Sequence, residues 1–290
     1  MKNNILPHYL HKSPPNLQNS QLNLLKSLFQ SLSMLFLFAT LGCERIIDVD
    51  LNDASPQIVI EGNLSWGDAR LEVKISETGS YFSVTPSARV NNAKVYLENN
   101  TGMRNDAKST GNGMYAIESY PQQFGMEYRL IVEADGQKYE AESTLYPPVE
   151  VDSLVFEFQP DMRFFEGGYR LLLYFSDPPD EENFYRIKVS KNGELLSSTD
   201  DLIVFDDSGL DGRAIQVRLR RQLFDIGDTA KVQLMAIDEK AFIYFTTFRE
   251  MANTNPGSPA PANPVSNFSN GALGYFSAWS LTEKEIVIGD

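Results

Sequence analysis

Glu127-Tyr128-Arg129-Leu130-Ile131-Val132 and Lys138-Tyr139-Glu140-Ala141, with the turn signal Ala134-Asp135-Gly136 between them, decide how this 290-residue chain reads. Each flank alternates apolar and polar residues, the period of a strand with one buried face. Asp135-Gly136 tolerates the positive φ angles of a tight turn, so the segment predicts a β-hairpin.

The same period extends in both directions. Upstream it marks Ile58-Val59-Ile60-Glu61-Gly62, Leu71-Glu72-Val73-Lys74-Ile75, the run from Val90 to Leu97, and Gly113-Met114-Tyr115-Ala116-Ile117. Turn residues punctuate these runs at Trp66-Gly67-Asp68, Asn99-Asn100-Thr101-Gly102 and Gly111-Asn112-Gly113. About seven short strands in roughly 90 residues predict an immunoglobulin-like sandwich over residues 57–147. Tyr146-Pro147-Pro148 ends it, because proline cannot donate to a strand ladder.

A second strand-rich block over residues 148–290 has candidates at Val151–Phe158, Tyr169–Phe175, Phe184–Ser190, Ile203–Phe205, Ala214–Leu219 and Ala230–Ile237, and closes with Gly274–Ser280 and Glu285–Ile288. One helix is predicted near 238–252. Asp238 can cap it, and Ala241, Phe242, Phe245, Phe248 and Ala252 share one face at helical spacing. That stripe suits either core packing or a ligand groove. The expected class is therefore mainly β: two β-sandwich domains, the first immunoglobulin-like, the second with one short helix. A long irregular loop runs from Asn255 through Pro264, and loops of that length are often functional.

The N-terminus reads as an export signal. Residues 1–31 are polar with Lys2, Lys12 and Lys26 and no acid, and they lead into the apolar stretch Leu32–Leu41. About ten apolar residues are too few to span a bilayer, so a signal peptide over 1–42 is expected. Leu41-Gly42-Cys43 resembles the lipobox of bacterial lipoproteins, with Thr40 where that motif prefers Leu. Cys43 is the expected lipidation site, followed by an acidic tether over 43–56. Diacylglycerol on Cys43 would hold the protein at a membrane.

Composition narrows function further. There are 25 Lys+Arg against 39 Asp+Glu, a formal charge of −14. Without residues 1–42 the balance is 22 against 39, or −17. Such a chain repels phosphate backbones, so nucleic acid is not an expected partner. His8 and His11 both precede Cys43, the sole cysteine, so the processed chain has no histidine and no free thiol. This excludes Cys–His and Ser–His–Asp mechanisms and Cys/His zinc sites. No phosphate loop or dinucleotide fingerprint occurs, and no cofactor is expected.

An ordered set of segments resembles an uncharacterised family of Bacteroidetes outer-membrane lipoproteins catalogued as a domain of unknown function (4249). The segments are Cys43 with Ile47-Asp48-Val49-Asp50, then Ile58–Gly62, Asn92-Ala93-Lys94-Val95, Tyr128-Arg129-Leu130, Asp180–Arg186 and Asn263–Phe276. The resemblance implies an immunoglobulin-like front domain, a second β domain, and an outer-membrane location beside TonB-dependent transporters. It implies no activity and no site residues.

Three sets of residues are candidates for chemistry. Asp200, Asp201, Asp206, Asp207 and Asp211 could supply oxygen ligands to calcium, with Asp206, Asp207 and Asp211 closest in sequence. Asp206–Gly212 fails the EF-hand pattern, and a turn rich in Asp and Gly explains it equally well. Paired carboxylates could make a glycosidase only where two converge. Trp66, Trp279, Tyr81, Phe82, Tyr275 and Phe276 could stack on sugars or fill a sandwich core, and Trp66, at a turn, is the candidate for an exposed ligand-binding ring. The leading expectation is a lipid-anchored, non-enzymatic accessory to a TonB-dependent transporter in nutrient capture, on a membrane face the sequence leaves undecided. The alternatives are a free-standing binding or adhesion module for glycan or protein, and a carboxylate-dependent hydrolase.

Overall fold

The hairpin forms as β7 (Glu127–Ala134) and β8 (Gln137–Thr144), paired so that Ala134 faces Gln137. Asp135 and Gly136 turn between them with φ of 49° and 75°, as the two-residue turn requires. The computed structural model describes residues 26–30, 56–79, 87–161, 163, 166–253 and 263–289. The apolar run at 32–41, Cys43, most of the tether, Tyr81, Phe82 and most of the 255–264 loop lie outside the described residues. Residues 26–30 are helical, and Asp53–Asp290 forms a single unit. No helix among the described residues is long and apolar enough to cross a membrane.

The front of this unit is an immunoglobulin-like sandwich. Strands β1 (Ile58–Ser65), β2 (Arg70–Glu77), β6 (Met114–Ile117) and β5 (Lys108–Gly111) form one sheet. The other runs β4 (Arg104–Asp106), β3 (Lys94–Asn99), β7, β8. Inward residues Ile60, Leu64, Leu71 and Val73 meet Val95, Leu97, Leu130 and Val132, all fully or nearly fully buried. Tyr128, at the start of β7, accepts a hydrogen bond at its hydroxyl from the Gln123 N–H at 2.7 Å. That back-bonded tyrosine is the corner found in immunoglobulin-like domains.

The second sandwich stacks β9 (Val151–Gln159), β10 (Gly168–Ser176) and β14 (Ala214–Phe224) on a sheet containing β12 (Glu194–Leu195), β11 (Phe184–Lys191) and β15 (Thr229–Ile237). Strand β13 (Ile203–Asp206) also pairs with β11. Its core holds Leu171, Leu173, Phe175, Tyr185, Ile187, Val232 and Leu234. Helix α1 (Glu239–Ala252) follows β15, with the Asp238 side chain accepting from the Ala241 N–H at 2.9 Å.

The end of the chain departs from expectation. Where two closing strands were predicted, one 15-residue strand, β16 (Leu273–Val287), runs through. Val59–Ser65 pair with Leu273–Trp279 in parallel, and Ser280–Val287 pair antiparallel with β15. Phe268, Ala272, Phe276 and Ala278 therefore pack in the front core, although they fall in the expected second domain of 148–290. A parallel partner must be remote in sequence, so local periodicity gives no hint of this exchange. One continuous sheet consequently crosses both sandwiches, and Gly274 permits the seam. A Cβ there would lie 2.0 Å from the Ile60 carbonyl oxygen.

Candidate functional site

Alternation along β11 sends Tyr185, Ile187 and Val189 into the second core, each 1 % exposed or less. Arg186 and Lys188 therefore project from the opposite face. On an open sheet they would sit in water, but α1 lies over this face. Ala241, Tyr244 and Phe245 pack there with Val204, Met235 and Ile237, joined by Tyr275 and Trp279 from β16. Both cations are consequently held partly out of solvent.

Their surroundings are aromatic rather than acidic. The Arg186 guanidinium carbon lies 4.0 Å from the Phe245 ring centroid, and the Lys188 ammonium lies 5.6 Å from that of Trp279. Arg186 Nε is buried without a hydrogen-bond partner, although Tyr275 bonds to the guanidinium elsewhere. Burial lowers the Arg186 pKa. Burial, aided by the Arg186 charge, pushes Lys188 down from 10.5 to about 8. Among the described residues neither group forms an ion pair with a carboxylate.

Between α1 and the 195–202 segment is a cavity of about 320 Å³. Tyr244, Phe245, Phe248 and Tyr275 line it with Arg186, Lys188 and the hydroxyl side chains of 197–199. Ser198 fixes that segment by donating to Asp201 from its N–H at 2.8 Å and its hydroxyl at 2.5 Å. Two acids also line the cavity and are engaged elsewhere. Glu61 pairs with Lys74 at 2.6 Å, and Asp201 also accepts from Gln222 at 2.9 Å. The stripe on α1 divides between core and cavity wall. Ala241 and Phe245 are core, Phe248 is 36 % exposed on the cavity wall, and Ala252 is exposed.

The acidic loop is only partly as predicted. Asp207 and Asp211 converge, but their third member is Asp177, with one oxygen from each within 4.8 Å of the others. Asp206 is not part of this trio and accepts from the Ser208 N–H at 3.2 Å. Asp200 pairs with Arg221, and Asp201 belongs to the cavity wall. Asp177 accepts from Tyr185 at 2.5 Å and from the Gly212 N–H at 3.0 Å, and Asp211 accepts from the Asp180 N–H at 2.9 Å. Those bonds staple the 207–212 loop to the start of β11. Burial, with the neighbouring Asp177 and Asp211 charges, raises the Asp207 pKa, although the Asn183 N–H opposes it. A second cavity of about 550 Å³ opens beside this loop, lined by seven carboxylates that include Asp207, Asp211 and Glu239 but not Asp177.

The remaining aromatic candidates separate. Phe276 is fully buried. Trp279 packs beneath α1. Trp66 is 37 % exposed, yet its ring rests on Phe124 at a centroid distance of 4.2 Å, and it does not line the aromatic cavity. Sequence reading missed Arg186, Lys188 and Asp177. The available signal was Arg186 and Lys188 two apart on one face of a strand whose other face carries Tyr185, Ile187 and Val189.

None of the curated proteins matches the chain. Among solved structures, a segment of two fibronectin type III domains from chicken tenascin is similar at 11% identity, over 80% of this chain and 98% of that one. Its TM-score of 0.22 gives that likeness no weight here. The model of the family described as Domain of unknown function (DUF4249) matches residues 44–285, and the chain belongs to that family.

Proposed function

We propose that this protein is a lipid-anchored, non-catalytic envelope protein that holds a small ligand beneath α1, as an accessory to a TonB-dependent outer-membrane transporter in nutrient capture. The observation that carries the reading is the cavity. It combines aromatic walls, hydroxyls and two cations, a lining suited to holding a ligand. Among the described residues no cavity hydroxyl hydrogen-bonds to Lys188, so no activated nucleophile is evident.

The absence of histidine after Cys43 supports the non-catalytic part. So does the acidic cluster, where Asp177 is engaged by Tyr185 and Gly212 and stands outside the neighbouring cavity. The basic start, the apolar run and Leu41-Gly42-Cys43 support the anchor. Pull-down through this chain after native membrane extraction is expected to recover a TonB-dependent receptor. Recovery of no envelope partner would count against the accessory role.

A further inference from the structure

We infer that the cavity beneath α1 takes a small organic anion, its carboxylate or phosphate held by Arg186 and Lys188 and its apolar part against Phe245, Phe248 and Tyr275. The inference rests on the ligand-capture reading and names the class of ligand.

Two cations sit two residues apart on β11, under a helix. Their repulsion and desolvation both oppose this placement, and each is normally offset by pairing. Among the described residues only Glu61 and Asp201 of the acids line this cavity; Glu61 pairs with Lys74 and Asp201 accepts from Ser198 and Gln222, and neither pairs with Arg186 or Lys188. The Phe245 and Trp279 rings attract the cations but carry no lone pair aimed at their N–H groups. Tyr275 bonds to the Arg186 guanidinium, and the fully buried Nε of Arg186 has no acceptor. A bound oxyanion would supply acceptor oxygens for the N–H groups of Arg186 and Lys188 that line the cavity, and negative charge for both.

Size and field restrict the ligand further. A cavity of about 320 Å³ is at the small end of ligand pockets, suiting a metabolite rather than a polymer. The overall charge of −14 repels polyanions. The cavity walled by seven carboxylates repels anions, in contrast to the Arg186 face.

The test is calorimetric titration of the full chain in detergent at neutral pH with benzoate, phenyl phosphate and benzyl alcohol. Both anions share a ring with the neutral alcohol, and their order separates carboxylate from phosphate recognition. At least one anion is expected to bind about tenfold or more tighter than benzyl alcohol. Arg186→Gln and Lys188→Met are each expected to remove that advantage. Equal binding of all three probes would overturn the anion assignment and leave ligand capture standing. No binding of any probe would overturn both.

A readout on the unaltered chain covers the case in which a variant fails to fold. Lys188 faces Arg186, Glu61, Asp201, Tyr244 and Tyr275 around the cavity. With its pKa near 8, it is partly neutral at about pH 8.5, and an arriving anion must reprotonate it. Heats measured in two buffers of different ionisation enthalpy should then show proton uptake with the favoured anion. Binding with no proton exchange would contradict the role of Lys188.

Discussion

Replacing Asp238 with Ala should loosen the roof of the cavity from its foundation. Asp238 is 5 % exposed. One of its oxygens accepts from the Ala241 N–H at 2.9 Å, capping α1, and the other from the Thr144 N–H of β8 at 3.2 Å. One carboxylate thus joins the helix to the front sandwich. Loss of the cap costs about 1 kcal/mol, and a buried N–H orphaned at Thr144 about 1–3 kcal/mol. Burial raises the pKa of Asp238 despite these bonds, so removing its charge returns part of that. The net expectation is about 2–3 kcal/mol, or roughly 4–12 °C in Tm for a domain of this size. Asp238→Ser retains the cap but is too short for Thr144, so it should lose only the Thr144 contribution. Urea unfolding of both variants measures the difference. A cost below about 1 kcal/mol for Ala, or equal costs for Ser and Ala, would refute this reading of the joint.

Three further outcomes follow from particular contacts. Gly274→Ala places a Cβ 2.0 Å from the Ile60 carbonyl oxygen at a residue with φ of 100°; it should cost more than about 3 kcal/mol, read as lost cooperative melting. Lys188 has its pKa depressed from 10.5 to about 8, so the unfolded chain binds its proton more tightly. Its charge penalty is full below about pH 8 and is relieved as pH rises towards 10.5. At full burial that is about 3 kcal/mol, roughly halved for a side chain partly open to solvent; melting curves of the wild type against Lys188→Met over that window should diverge accordingly. Asp207 has a raised pKa, so its penalty grows as pH climbs through the carboxylate range. Asp207→Asn should therefore gain Tm on the wild type between acid and neutral pH, and parallel curves would contradict the assignment.

Much of the fold could be read from short windows. The β7–β8 hairpin, the cap at Asp238 and the helix over 239–252 all depend on residues within a few positions of one another, where period and turn chemistry act. What escaped depends on remote pairing. Phe276 looks like any strand residue until Gly62, more than two hundred residues earlier, proves to be its neighbour. The same limit applies to the site. Asp207 and Asp211 were visible as a cluster, but Asp177 joins them from the end of a different loop. Arg186 and Lys188 resemble solvent-facing strand residues, and only the later arrival of α1 across that face makes them unpaired cations in a cavity.

If this cavity holds a small organic anion in the living cell, the native protein should carry it. The chain would be extracted under mild conditions from its own membranes, denatured, and the released small molecules identified by mass spectrometry beside those from Arg186→Gln. One carboxylate- or phosphate-bearing compound, near stoichiometric with the wild type and absent from the variant, is the predicted result. Equal release of the same compound from both proteins, or of an uncharged compound alone, would contradict it.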